Sequence, residues 1–280
     1  MLVLAIALLV WIGGPVLGST LDTRWQTATT THEPSLADRL TRGARAPLLF
    51  VPASVTRDPA ATATLVVVLP GLGGIGRDFA TEFVAAAEAD RWLLLAPSPD
   101  YDPRNASESL QNADLRVDYE LMTLIDRAMA RPGLHIAAKV ELVGFSRGAQ
   151  TAHRFALRHP DRIDALASFS AGTYTMPTSP AEYPLGVGDF DQWNHLRPFD
   201  PVALRQVRVL VGVGTADTDP ADVARAWDGV GGTTRLERGT RFAQALTQLN
   251  VPTRFQTYVG IGHSFVPGMR DDAIALFTAH

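Results

Sequence analysis

Residues 140–150 read "VELVGFSRGAQ", and the way Ser146 is held within them decides the fold. Gly144, Ser146 and Gly148 make a Gly-x-Ser-x-Gly pattern. With 23 glycines in 280 residues, that pattern needs its flanks to give it weight. The stretch 139–145, "KVELVGF", reads as a buried strand, and 147–160, "RGAQTAHRFALRHP", as a helix with Ala152, Phe155 and Ala156 facing inward. A serine at such a junction takes a backbone conformation that side chains disfavour. Side chains at i−2 and i+2 would strike neighbouring backbone, so glycine suits both positions. The turn would lift the Ser146 hydroxyl above the C-terminal edge of a parallel sheet, where open α/β sheets bind ligands.

Outward from this point, strands alternate with helices from about residue 60 to the end. "ATLVVVLPG" (63–71) and "WLLLAPS" (92–98) are continuous apolar runs, suited to strands buried on both faces. "IDALASFSA" (163–171), "VRVLVGVG" (207–214) and "RFQTYVG" (254–260) are further strands, and "APLLFVPAS" (46–54) is the first. Phe79, Phe83 and Ala87 mark one helix face, and Val117, Leu121, Leu124, Ile125 and Ala128 another. Helices are also expected at 240–250 and 268–279. The alternation defines an α/β fold with a mostly parallel sheet and helices on both faces. Residues 174–206 interrupt it with a long segment rich in proline and aromatics. A connection of that length is expected to form a lid or pocket wall, with Tyr183, Phe190 and Trp193 touching substrate, or else a structural excursion with its own apolar cluster.

Composition narrows the function. The chain is 46% hydrophobic, enough for a sizeable core, and its net charge of −4 with no basic run argues against a nucleic-acid partner. It has no cysteine, which excludes disulfides, a thiol nucleophile and thiolate metal sites. Residues 1–18 are apolar and end in Val16-Leu17-Gly18, so a signal peptide or a membrane anchor is expected there, with export as the consequence. Any membrane contact would come through that anchor. Residues 19–45 read as an irregular lead-in.

A serine hydroxyl needs a base, and the base needs an orienting acid. On this architecture the acid follows a late strand and the histidine follows the last one. "VLVGVGTADTDP" places Asp217 beyond one strand, and "YVGIGHSF" places His263 beyond the final one. Asp219 is the rival acid. It precedes Pro220 at the start of a helical pattern, which suits an N-cap. An oxyanion would be held by the N–H of Arg147, next to the nucleophile, and by an N–H from "LPGLGGIG" (69–76), with Leu72 the choice and Gly71 or Gly73 its neighbours. A phosphate-binding loop is the rival there, but no Gly-Lys-Ser/Thr follows.

The pieces "LVVVLPGLGGIGRDF", "VELVGFSRGAQTAHRFA", "VGVGTADTDP" and "TTRLERGTRFAQALTQLNVPTRFQTYVGIGHSF" resemble the α/β-hydrolases. Within that superfamily they are similar to the polyhydroxybutyrate-depolymerase and feruloyl-esterase-like group. The resemblance spans about residues 62–265. It implies an α/β-hydrolase domain over 46–280 that cleaves small or polymeric esters through an acyl-enzyme, with no metal or cofactor. Pro70 departs from the histidine that group carries before the glycine. An acyltransferase or a serine peptidase on the same scaffold, or a non-catalytic binding protein, stays open at this point.

Overall fold

The computed structural model describes residues 26–28, 45–101, 107–195 and 197–279. The apolar stretch 1–18 and most of the lead-in lie outside them. Within the lead-in, Gln26–Ala28 forms a short strand, β1. The other strands are β2 (Leu48–Phe50), β3 (Ala63–Leu69), β4 (Trp92–Ala96), β5 (Ile136–Phe145), β6 (Ile163–Phe169), β7 (Arg208–Gly214) and β8 (Thr253–Tyr258). They form one sheet in the order β1-β2-β4-β3-β5-β6-β7-β8. Every neighbouring pair is parallel except β2 with β4. The chain builds β4 on one side of β3, then crosses to build β5 on the other. The C-terminal ends of β3 and β5 therefore flank the crevice where an open sheet takes its ligand.

Apolar runs become two-faced strands because the side-chain period is two. Leu65, Val67 and Leu69 of β3 enter one core, with Leu93, Leu95, Val140, Leu142, Val209 and Val211. Val66 and Val68 enter the other, with Leu94, Val143 and Leu210. Helices cover both. In chain order they are α1 (Ala53–Arg57), α2 (Gly76–Ala80), α3 (Val84–Asp90), α4 (Ser107–Met129), α5 (Arg147–Arg158), α6 (Arg235–Gln248) and α7 (Pro267–Thr278). α4, α5 and α6 pack on the first face, and α2, α3 and α7 on the second. Each fully buried Leu or Val contributes about 1.5–3 kcal/mol through removal from water.

The local differences from expectation have physical causes. The helix expected around Phe79, Phe83 and Ala87 is split into α2, a 3-10 turn at Thr81–Phe83, and α3, although Phe83 and Ala87 are buried. α6 begins five residues earlier than its apolar period suggests, because Thr234 and Glu237 form a capping box. Thr234 Oγ1 accepts from Glu237 N–H at 3.2 Å, and Glu237 Oε2 accepts from Thr233 N–H at 2.6 Å.

β5 also carries a buried acid. Glu141 is 3% exposed, with Arg208 3.6 Å away. Burial outweighs that attraction and pushes its pKa from 4.5 to about 8. Between those values the folded state binds a proton that the unfolded chain releases, so stability falls as pH rises through the window. Glu141→Gln should therefore gain melting temperature over the parent. The gain should widen from about pH 5 to 8 and level off above, reaching about 3–5 kcal/mol. Parallel stability curves across that range would contradict the buried-acid account.

Candidate active site

Ser146 sits between β5 and α5 at φ 54°, ψ −115°. This is a strained conformation for a residue with a Cβ. The flanking glycines are required by contact. A Cβ at Gly144 would lie 2.5 Å from the carbonyl carbon of Gly148, and one at Gly148 would lie 2.1 Å from the Leu69 oxygen. The Ser146 N–H donates to the Phe169 oxygen at 2.8 Å, which ties the turn to β6.

Two further loops meet at this serine. β7 ends at Gly214, where a Cβ would strike the Ile261 oxygen at 2.0 Å, so glycine lets the loop after β8 pass across the strand end. Ala216 N–H donates to that oxygen at 2.9 Å. This seam fixes the acid loop against the histidine loop. His263 is further held by its ring, stacked on Phe145 with centroids 5.0 Å apart. Phe265 anchors the same loop in a cluster with Phe79, Phe83, Phe145 and Phe169.

The three predicted side chains come together. His263 Nε2 is 2.9 Å from Ser146 Oγ, and His263 Nδ1 is 2.9 Å from Asp217 Oδ2. The Asp217 carboxylate accepts the Nδ1 proton, which leaves Nε2 as acceptor for the serine hydroxyl. Asp217 is 3% exposed. Burial pushes its carboxyl up, but the hydrogen bond from His263 and the Arg235 guanidinium outweigh this and hold it below the usual carboxylate range. Asp219 does the other job. Its Oδ1 accepts the Ala221 N–H at 2.8 Å, capping the 3-10 turn Pro220–Asp222 that stands where a longer helix was expected.

A cavity of about 360 Å³ opens over Ser146. Leu72 and Arg147, the expected oxyanion donors, both line it. Leu72 is the first inner residue of a turn closed by Gly74 N–H to the Gly71 oxygen at 3.0 Å, with Gly73 at φ 74°. Gly71 brings this turn close to the serine, since a Cβ there would sit 3.4 Å from Ser146 Cβ. Arg147 is the first residue of α5, where N–H groups lack helical acceptors and the helix dipole favours negative charge.

Tyr183, Phe190 and Trp193 are elsewhere, which corrects the expectation that they touch substrate. None of them lines this cavity. Tyr183 and Phe190 are buried in the first core, and Trp193 packs against it. Their polar edges find internal partners: Tyr183 O–H donates to Asp114 at 3.4 Å and Trp193 Nε1–H to Asp189 at 2.8 Å. The aromatic rings bury more apolar area in the core than an open cleft offers. Trp193→Ala should thus cost about 3 kcal/mol of stability while leaving the ranking of ester substrates unchanged. Unfolding curves beside a chain-length series of esters check this, and a reordered series would return the segment to the pocket.

Sequence reasoning missed Arg235. It is 8% exposed, lines the cavity, and donates from Nη1 to Asp217 Oδ1 at 3.1 Å and from Nη2 to the Asp222 oxygen at 2.9 Å. It also missed Gln150, Gly172, Val223 and Ala224 in the cavity wall. The capping box at Thr234 was the one signal that could have placed Arg235 at the start of α6. Among the described residues no cluster of His, Cys, Asp or Glu is arranged to hold a metal, and no helix is long and apolar enough to cross a membrane.

Fold and site together define an α/β protein with a serine on a strained strand-to-helix turn. The α/β hydrolase fold family model matches residues 64–258, and the chain belongs to that family. Solved structures share the fold. Poly(aspartic acid) hydrolase-1 from Sphingomonas sp. KT-1 is 22% identical with a TM-score of 0.62, covering 81% of this chain and 91% of that one. Esterase PE8 is 20% identical with a TM-score of 0.52, covering 78% and 93%. Acyl-protein thioesterase 2 of Zea mays is 17% identical with a TM-score of 0.50, covering 79% and 95%. No curated protein matches the chain at a significant level.

Proposed function

We propose that the protein is a serine hydrolase that cleaves carboxylic esters through an acyl-enzyme. The observation that carries this is the unbroken hydrogen-bonded line from Ser146 through His263 to Asp217 at the cavity. His263 takes the Ser146 proton as Oγ attacks the ester carbonyl carbon. Asp217 holds the imidazole tautomer and stabilises the imidazolium. The Leu72 and Arg147 N–H groups face the developing oxyanion, worth about 3–4 kcal/mol for each well-placed donor. His263 returns the proton to the leaving alcohol, then activates water to release the acid. The printed names of the structural neighbours, a poly(aspartic acid) hydrolase, an esterase and a thioesterase, all concern acyl cleavage and fit this reading.

Stoichiometric labelling of Ser146 by a fluorophosphonate, together with turnover of short chromogenic esters, tests the proposal. An unlabelled Ser146 in folded protein would overturn it. Product analysis with an added alcohol separates hydrolysis from acyl transfer, and matched amides separate esterase from peptidase action.

A further inference from the structure

The floor of the Ser146 cavity is unusually rich in donors. Gln150 lies one turn along α5 from the nucleophile, its N–H bonded to the Ser146 oxygen at 3.1 Å. Both side chains line the same cavity. The Gln150 amide has one orientation, because Oε1 already accepts from Arg147 Nη1 at 2.8 Å and from Thr173 Oγ1 at 2.9 Å. Nε2 is therefore turned the other way, toward Gly172. A Cβ on Gly172 would lie 3.0 Å from Gln150 Nε2 and 3.8 Å from Arg235 Nε. Gly172 has no side chain and lines the cavity, so that space is open to a ligand.

Two donors from two helices thus converge on one point. Arg235 Nε is buried and has no acceptor among the described residues, although the other arms of that guanidinium are paired. The nearby Gly172 carbonyl is taken by Arg238 Nη1 at 2.6 Å. A buried donor left unsatisfied is costly, and an acceptor on the ligand relieves that cost. Two guanidinium groups, of Arg147 and Arg235, stand in the wall; the Nη1 of Arg235 is paired with Asp217 at 3.1 Å and Asp222 at 3.5 Å, which leaves its Nε for a ligand.

We propose that this floor selects short acyl groups carrying a hydrogen-bond acceptor, a carboxylate foremost, at the fourth carbon, with the attacked carbonyl counted as the first. The proposal rests on the esterase reading above and names its substrate class. A four-carbon chain spans about 4 Å, from bond lengths of about 1.5 Å, a length the cavity shared by Ser146, Gln150 and Arg235 can hold. With the acyl carbon on Ser146 Oγ, the distal oxygens accept from Gln150 Nε2 and Arg235 Nε.

Three ethyl esters test it by acid release at constant pH: monoethyl succinate, ethyl levulinate and ethyl pentanoate. These present a carboxylate, a neutral ketone and a methylene at the same position. The readout is the ratio of kcat/KM values within one enzyme, which a general loss of activity does not move. Succinate and levulinate esters should exceed pentanoate by about tenfold or more. Gln150→Leu should shrink both ratios by about tenfold. Gln150→Glu should lower the succinate ratio more than the levulinate ratio, through charge repulsion. A wild-type preference for pentanoate, or ratios unchanged in Gln150→Leu, overturns the proposal. If the variants do not fold, the wild-type ratios alone decide it. Fluorophosphonate labelling of Ser146 with no turnover of the three esters overturns this inference alone, whereas failure of labelling and turnover together overturns the esterase reading.

Discussion

Ser146→Ala is expected to lower turnover of a chromogenic ester by about 10⁶-fold, leaving only what the oxyanion donors and substrate binding supply. The size follows from the geometry. Ser146 Oγ is the atom that His263 Nε2 faces at 2.9 Å, and with it gone no covalent intermediate forms. The fold should survive, because alanine accepts the same backbone conformation as serine with the same strain. A companion variant makes the strain visible. At φ 54°, ψ −115°, Ser146→Gly relieves a conformation costing about 1–3 kcal/mol. It should be as inactive as Ser146→Ala but melt at a higher temperature than the parent. Near-normal turnover in either variant would sink the assignment of the nucleophile. A lower melting temperature in the glycine variant would contradict the strain.

Asp217→Asn is the second large effect, about 10⁴-fold in turnover, because the amide favours the wrong imidazole tautomer. It should cost stability as well. The carboxylate is 3% exposed and holds both His263 Nδ1 and Arg235 Nη1, so neutralising it removes the nearer and more buried of the two counter-charges on that guanidinium, the other being Asp222 at 3.5 Å. Breaking a buried pair in this way costs about 3–5 kcal/mol. Asp219→Ala is the contrast. Its carboxylate caps a short exposed 3-10 turn through Ala221 N–H, so about 1 kcal/mol should be lost with turnover close to normal. Turnover and melting temperature measured on both variants separate the roles. A catalytically dead Asp219→Ala beside a near-normal Asp217→Asn would reverse them.

Much of the catalytic geometry was legible in the sequence because it is local. The collision that demands glycine at 144 is with Gly148, four residues on, so the short pattern encodes it; the one that demands glycine at 148 is with Leu69 on the neighbouring strand β3, which the turn always meets because the strand it leaves pairs with β3. Asp217 and His263 were legible for a related reason. Asp217 follows the buried strand β7, His263 lies in the loop after the half-exposed edge strand β8, and parallel strands place their C-terminal ends along one edge. The choice of Asp217 over Asp219 was also local, since Pro220 marks Asp219 as a cap. β1, with three residues, lies below the length at which a period can be read.

The lining of the cavity was not local, and there only the tertiary structure decided. Tyr183, Phe190 and Trp193 are aromatic in an irregular segment, a pattern that fits a substrate wall and a buried cluster equally. The outcome depended on whether α4 and α5 offered them a closed apolar surface and acceptors such as Asp114. Arg235 carries no motif, and it reaches Asp217, 18 residues earlier, only because α6 packs over the end of β7. Gln150 reads as an ordinary helical residue until Thr173 and Arg147 occupy its oxygen and turn its nitrogen toward Gly172. Steric rules and side-chain periods act over a few bonds and can be read from the chain. Burial and hydrogen-bond satisfaction are settled by whatever the fold brings alongside.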